Sequence, residues 1–155
     1  MKNKPEGMTV YADMEGAKVN GGTVPPEIMI TTSRPDIVII NRNTTPTSVI
    51  LLEITIPFSR NIEAANNRKR NRYEFLASDI QDAGYNCINM PLEVGSRGHL
   101  TSRNRETLIF ICHTFGIRKH QQILRNCSKL ALLGSYAIYL ARGASDWSGS
   151  GLLKP

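Results

Sequence analysis

Cysteine is scarce in this chain, and what there is makes no pattern. Cys87, Cys112 and Cys127 are odd in number, widely spaced and form no CxxC pair. That argues against a disulfide framework and for a reducing, intracellular compartment. A zinc site would have to join the thiols to His113 or His120 from separate elements, at no recognised spacing. Three buried structural thiols are the expected reading. No run approaches the roughly 20 apolar residues of a membrane span, and the opening "MKNKPEGMTVYAD" lacks the apolar centre of a signal peptide. No membrane partner is expected. Internal repeats and low-complexity segments are missing too. Acidic residues are in deficit, 13 against 19 Lys and Arg, for a net charge of +6. The surplus favours an anionic partner such as nucleic acid, although many soluble proteins are this basic.

What remains is ordinary globular material. At 155 residues and 41% apolar content, the chain suits one domain with a real core. Residues 1–33 are rich in Gly and Pro, with a short strand candidate at Met8–Tyr11, and read as an extended arm or cover. Ile37–Asn41 and Val49–Ile56 are β-branched runs joined by "RNTTPTS", a connection of hairpin length. Ser59 or Asn61 can cap a helix that runs to about Ala83, where Gly84 stops it. A strand over Tyr85–Val94 then crosses back onto the same sheet. Two more helices are expected near Arg103–Phe115 and Arg118–Ala141, before a Gly/Ser tail. The expected architecture is α/β: a mixed sheet, made of an antiparallel hairpin plus a crossover strand, flanked by helices. Residues 34–94 form its core, 95–142 its C-terminal helices and 143–155 its tail.

Two acids sit awkwardly in this plan. Alternation along Val49–Ile56 puts Glu53 on one face with Leu51 and Thr55, in the middle of a central strand. A lone carboxylate there is costly. Asp36 opens the neighbouring strand, where hairpin geometry brings it towards Glu53. Two close carboxylates repel unless a cation lies between them, and Mg²⁺ is a hard ion suited to oxygen donors. The structural alternative makes Asp36 a turn residue after Pro35 and pairs Glu53 with an arginine.

The helix after Pro57 has apolar positions Ile62, Ala65, Tyr73, Leu76, Ile80 and Ala83, with a period near 3.6. Lys69 falls in the centre of that stripe. Either it snorkels to solvent or forms a plain buried ion pair with Glu53, or it orients a water and stabilises charge on a phosphate.

An acid after Pro ("RPD"), a second acid on the next strand ("LLEIT") and a lysine resemble the PD-(D/E)XK restriction-endonuclease-like superfamily. The family's lysine would fall at Thr55, and Lys69 matches branches in which it has moved to the following helix. The wider stretch from "VYADMEGAKV" through "PLEVGSRGH" to "IYLARGASDW" resembles endonuclease-like domains of retrotransposon-derived open reading frames. No reverse-transcriptase or DNA-targeting module accompanies it, so the chain reads as an excised domain or a remnant.

The resemblance implies a Mg²⁺-dependent endonuclease acting on DNA phosphodiesters, with Mn²⁺ able to substitute. Asp36, Glu53 and the Ile54 carbonyl would hold the ion, Lys69 the water, and Thr55 would donate a hydrogen bond in the usual lysine's place. Arg68, Arg70, Arg72, Arg97, His99 and Arg103 are candidate nucleic-acid contacts, and such contacts position a duplex without reading its sequence. Glu93 is expected to anchor Arg97. His113, inside "LIFICHTF", reads as a satisfied core histidine. The partner is DNA, with RNA or an RNA/DNA hybrid as alternatives. A monomer suits nicking and a homodimer suits double-strand cutting. The implied location is intracellular, and nuclear if the chain derives from a eukaryotic retroelement. Two other classes stay open: a nuclease fold that only binds nucleic acid, and a protein-interaction domain whose acids and lysine form a structural network.

Overall fold

The computed structural model describes residues 6–12 and 23–142. The tail 143–155, and residues 1–5 and 13–22 of the expected arm, lie outside the described residues. Four strands form one sheet: β1 (Met8–Ala12), β2 (Ile37–Asn41), β3 (Ser48–Thr55) and β4 (Asn86–Glu93). Their order in the sheet is their order in the chain. β2 and β3 form the expected antiparallel hairpin, from Ile37 opposite Leu52 to Asn41 opposite Ser48. After β3 the chain crosses through α1 (Ile62–Asp82), so β4 lies parallel to β3, from Ser48 beside Asn86 to Thr55 beside Glu93. The result is an α/β fold with a mixed sheet.

Strand alternation divides the core between two faces. Val38, Ile40, Val49, Leu51 and Cys87 project from one face against Tyr73, Leu76 and Ile80 of α1. Leu52 and Leu92 project from the other, towards Leu108 of α2 (Ser102–Thr114) and Leu124 and Ala131 of α3 (His120–Ala141). The layers are therefore α1, sheet, α2 with α3. β1 belongs to this body: it pairs antiparallel with β2, while Val24 and Ile28 reach the α1-side core. The described part of the expected arm thus completes the sheet's edge and covers its core.

Local chemistry explains the helix ends. Thr101 accepts a hydrogen bond from the Asn104 backbone N–H at 3.3 Å and caps α2. α1 starts differently from expectation. Asn61 is its N-cap residue but makes no side-chain cap bond, because a 3₁₀ turn over Ser59–Asn61 feeds the helix and donates the Asn61 N–H to the Phe58 carbonyl. Gly84, at φ +90°, ends α1 as foreseen. His113 is a correction: it is exposed, with its ring 5.8 Å from that of His120. Asn104, Leu108 and Cys112 define the buried line of α2 at four-residue spacing, and His113 is turned about 100° away from it.

Burial pushes the Cys87 thiol from its ordinary 9.0 up to about 12. The fold favours the neutral form, so this contribution to stability is complete below pH 9.0 and is lost as pH rises towards 12. Chemical denaturation across this range is expected to show a steeper loss for wild type than for Cys87→Ala. The difference should reach about 1.4 kcal/mol per pH unit. Equal slopes would show that the thiol does not carry the effect.

Candidate active site

The hairpin and α1 bring the three singled-out residues together. Glu53 is 3% exposed and points from the centre of β3 towards α1. Its Oε1 accepts from the Lys69 ammonium, which arrives from the middle of the apolar stripe. Lys69 is therefore turned inward and does not snorkel. The Arg72 guanidinium stands 3.9 Å from the same oxygen, with its side chain 63% exposed. Glu53 Oε2 accepts from the Asp36 backbone N–H at 3.1 Å. In return, Asp36 Oδ2 accepts from the Ile54 N–H at 2.7 Å. Two reciprocal bonds thus fasten the acids across the hairpin, just beyond the point where β2 begins.

Asp36 is exposed while Pro35 beneath it is buried, so the carboxylate sits at the rim and its backbone is packed. A strand residue directs its N–H and C=O to the same side, so the Ile54 carbonyl also faces the Asp36 edge. Thr55, half-buried, is two residues beyond Glu53 on the same face.

Tyr73 is a site residue that periodicity hides, because it reads as core. Its hydroxyl donates to the Arg34 carbonyl at 3.0 Å and so fixes the backbone that carries Asp36. Burial, followed by the neighbouring Glu53 carboxylate, raises its pKa above the usual tyrosine value, against an opposing pull from Arg72.

Glu93 does not anchor Arg97. It is fully buried beside Thr55, and its Oε2 accepts from Asn66 Nδ2 of α1 at 2.9 Å. Asn66 Oδ1 in turn accepts from Arg103 Nη1 at 3.0 Å. Arg97 instead lies over the Phe58 ring, 5.7 Å from its centroid, and Arg60 lies over the same ring at 5.3 Å. Phe58 is 49% exposed, which gives an aromatic surface with two cations just past β3. Arg68, Arg70, Arg72, His99 and Arg103 are all exposed. Arg103 and His99 line a cavity beside Glu93, whereas Arg70 faces a different one near Asn89. The glycine of "SRGH" has a structural reason: Gly98 has φ +78°, and a Cβ there would come 2.7 Å from the Ser128 carbonyl oxygen of α3.

Among the described residues, no three His, Cys, Asp or Glu side chains gather as metal ligands. No helix among the described residues is long and apolar enough to cross a membrane. No family model, curated protein or solved structure matches the chain.

Proposed function

We propose that this chain is a divalent-metal-dependent endonuclease of the restriction-endonuclease-like kind, hydrolysing DNA phosphodiester bonds. The observation that carries the reading is the meeting of Asp36, Glu53 and Lys69 at one end of the two inner strands, with Glu53 buried and both its oxygens bonded. A buried ion pair alone is weak evidence of function. Its position beside an exposed second acid, an arginine-flanked aromatic and a basic rim gives it the means to meet a phosphate.

The oxygen donors fit a hard cation of the Mg²⁺ type, which Mn²⁺ can replace. Asp36, Glu53 and the Ile54 carbonyl would hold it. When bound, the ion polarises the phosphate and lowers the pKa of a coordinated water. The chain's own groups do the rest. Lys69 holds the attacking water through its ammonium and offsets charge building on the phosphate oxygens. Thr55 donates a hydrogen bond from its hydroxyl to a phosphate oxygen. Tyr73 and Pro35 keep Asp36 in place. Arg68, Arg72, Arg97 and Arg103 contact flanking phosphates, which makes affinity fall steeply with salt.

The structural-network reading has one observation in its favour: protein groups already satisfy Glu53. Incubating supercoiled plasmid with Mg²⁺ or Mn²⁺, for wild type and Glu53→Ala, separates the readings. Metal-dependent nicking by wild type, absent in the variant, is the expected result. Salt-sensitive binding without cleavage would leave a DNA-binding protein. Neither binding nor cleavage would leave the structural network.

A further inference from the structure

Beside the three-residue site lies a cavity of about 410 Å³, between the start of α1, the end of β4 and the N-terminus of α2. That volume is within the range of about 300–1,000 Å³ typical of small-molecule sites. Its walls combine two chemistries. Arg60, His99 and Arg103 line one part, and the capped N-terminus of α2 adds backbone N–H dipoles, a setting that suits an anion such as phosphate. Glu93 and Asn104 line another, and they are 0% and 1% exposed.

Each of these two residues has a side-chain oxygen without a hydrogen-bond partner among the described residues, Glu93 Oε1 and Asn104 Oδ1. Buried acceptors left without donors are costly, so the arrangement calls for a ligand that brings hydrogen-bond donors as well as an anion. Glu63 also lines the cavity, but Arg60 and Arg103 on the same wall oppose a bare metal cation there. A nucleotide supplies both parts: a phosphate, and the N–H groups of its base.

We propose that this cavity binds one unpaired nucleotide, with its phosphate on Arg60 and Arg103 and its base donating to Glu93 and Asn104. The placement rests on the endonuclease reading. Thr55 stands beside Glu93 in the strand register, and Thr55 follows Glu53 on one face of the sheet, so the nucleotide would be close to the cleaved bond. The cavity has room for one nucleotide whose base is turned in from the stack, so the substrate class is DNA that is single-stranded or unpaired next to the cut, or that extrudes a base there.

The test is a metal-free titration of the whole protein, followed by NMR chemical shifts, with dGMP, deoxyribose 5-phosphate and inorganic phosphate as probes. Wild type is expected to bind dGMP at least about tenfold more tightly than deoxyribose 5-phosphate. Glu93→Gln keeps an oxygen for Asn66 but turns a donor into the cavity, and should erase that preference while leaving binding of the sugar phosphate unchanged. Arg103→Gln should weaken all three probes. Unfolding midpoints of both variants establish that they are folded. Shifts for dGMP no greater than for inorganic phosphate, or a preference that survives Glu93→Gln, would overturn the proposal. Because no metal is present, loss of cleavage elsewhere does not affect this result. Plasmid nicking by a protein without nucleotide preference would keep the enzyme and remove the pocket.

Discussion

Lys69→Met is expected to abolish metal-dependent cleavage and, separately, to lower stability by about 3–5 kcal/mol. The two effects have one origin. The Lys69 side chain is 18% exposed and that of Glu53 is 4% exposed, so removing the ammonium leaves a carboxylate in the sheet without its nearest counter-charge. Arg72 stays 3.9 Å from Glu53 and places the loss at the lower end of the range, although its solvent exposure screens much of that compensation. The double variant Lys69→Met/Glu53→Gln tells structure from chemistry. It removes both charges, fills the same volume and keeps an oxygen for the Asp36 N–H. Replacing both partners of a buried pair is often neutral or stabilising, so most of the lost stability should return while cleavage stays absent. Denaturant unfolding and plasmid nicking, measured on the same three proteins, check both halves. Cleavage that survives in Lys69→Met would keep the enzyme and refute the lysine's role in it.

Asp36→Asn should show the opposite division, a stable fold with no activity. Asp36 is exposed, and its Oδ2 accepts the Ile54 N–H. An asparagine carbonyl preserves that bond and loses only the negative charge, so stability without metal should change by less than about 1 kcal/mol. Cleavage should fall at least about a hundredfold, since even residues one step removed from a metal cost about 10–100-fold when altered. Mg²⁺ should raise the melting temperature of wild type, by a gain of about 2.7 kcal/mol at a hundredfold excess over the dissociation constant. The asparagine variant should not respond. A wild type whose melting temperature ignores Mg²⁺ and Mn²⁺ alike would remove Asp36 and Glu53 as an ion-binding pair.

Which of these features the sequence reveals depends on how far their causes extend along the chain. β2 and β3 are legible because β-branched runs and a short polar connection are local signals, and the observed β2 is Ile37–Asn41 as expected. Lys69 stands out because the period of α1 leaves one position in its stripe charged. Asn66 lies on the same buried side, 3% exposed, but an asparagine among apolar residues carries no local mark of its purpose. Its partner Glu93 becomes identifiable only once the register of β4 against β3 is known, and that pairing is made across the whole of α1. Arg97 has the same difficulty: proximity in sequence points it to Glu93, whereas packing lays it on Phe58. The apolar character of Leu130, Leu133 and Tyr136 in α3 gives no sign that they are exposed among the described residues.

The crossed bonds between Asp36 and β3 also bear on how the chain finds its fold. A slip of one residue in the hairpin would turn Glu53 to the other face of the sheet. There it would meet Leu92 and Leu108 in place of Lys69, and a carboxylate stranded among them is costly. Val49 to Leu52 are buried on either face and would tolerate the exchange; the single acid would not. Glu53 therefore acts as an orientation key for the hairpin, and a molecule able to assemble this site is one whose strands have already paired correctly.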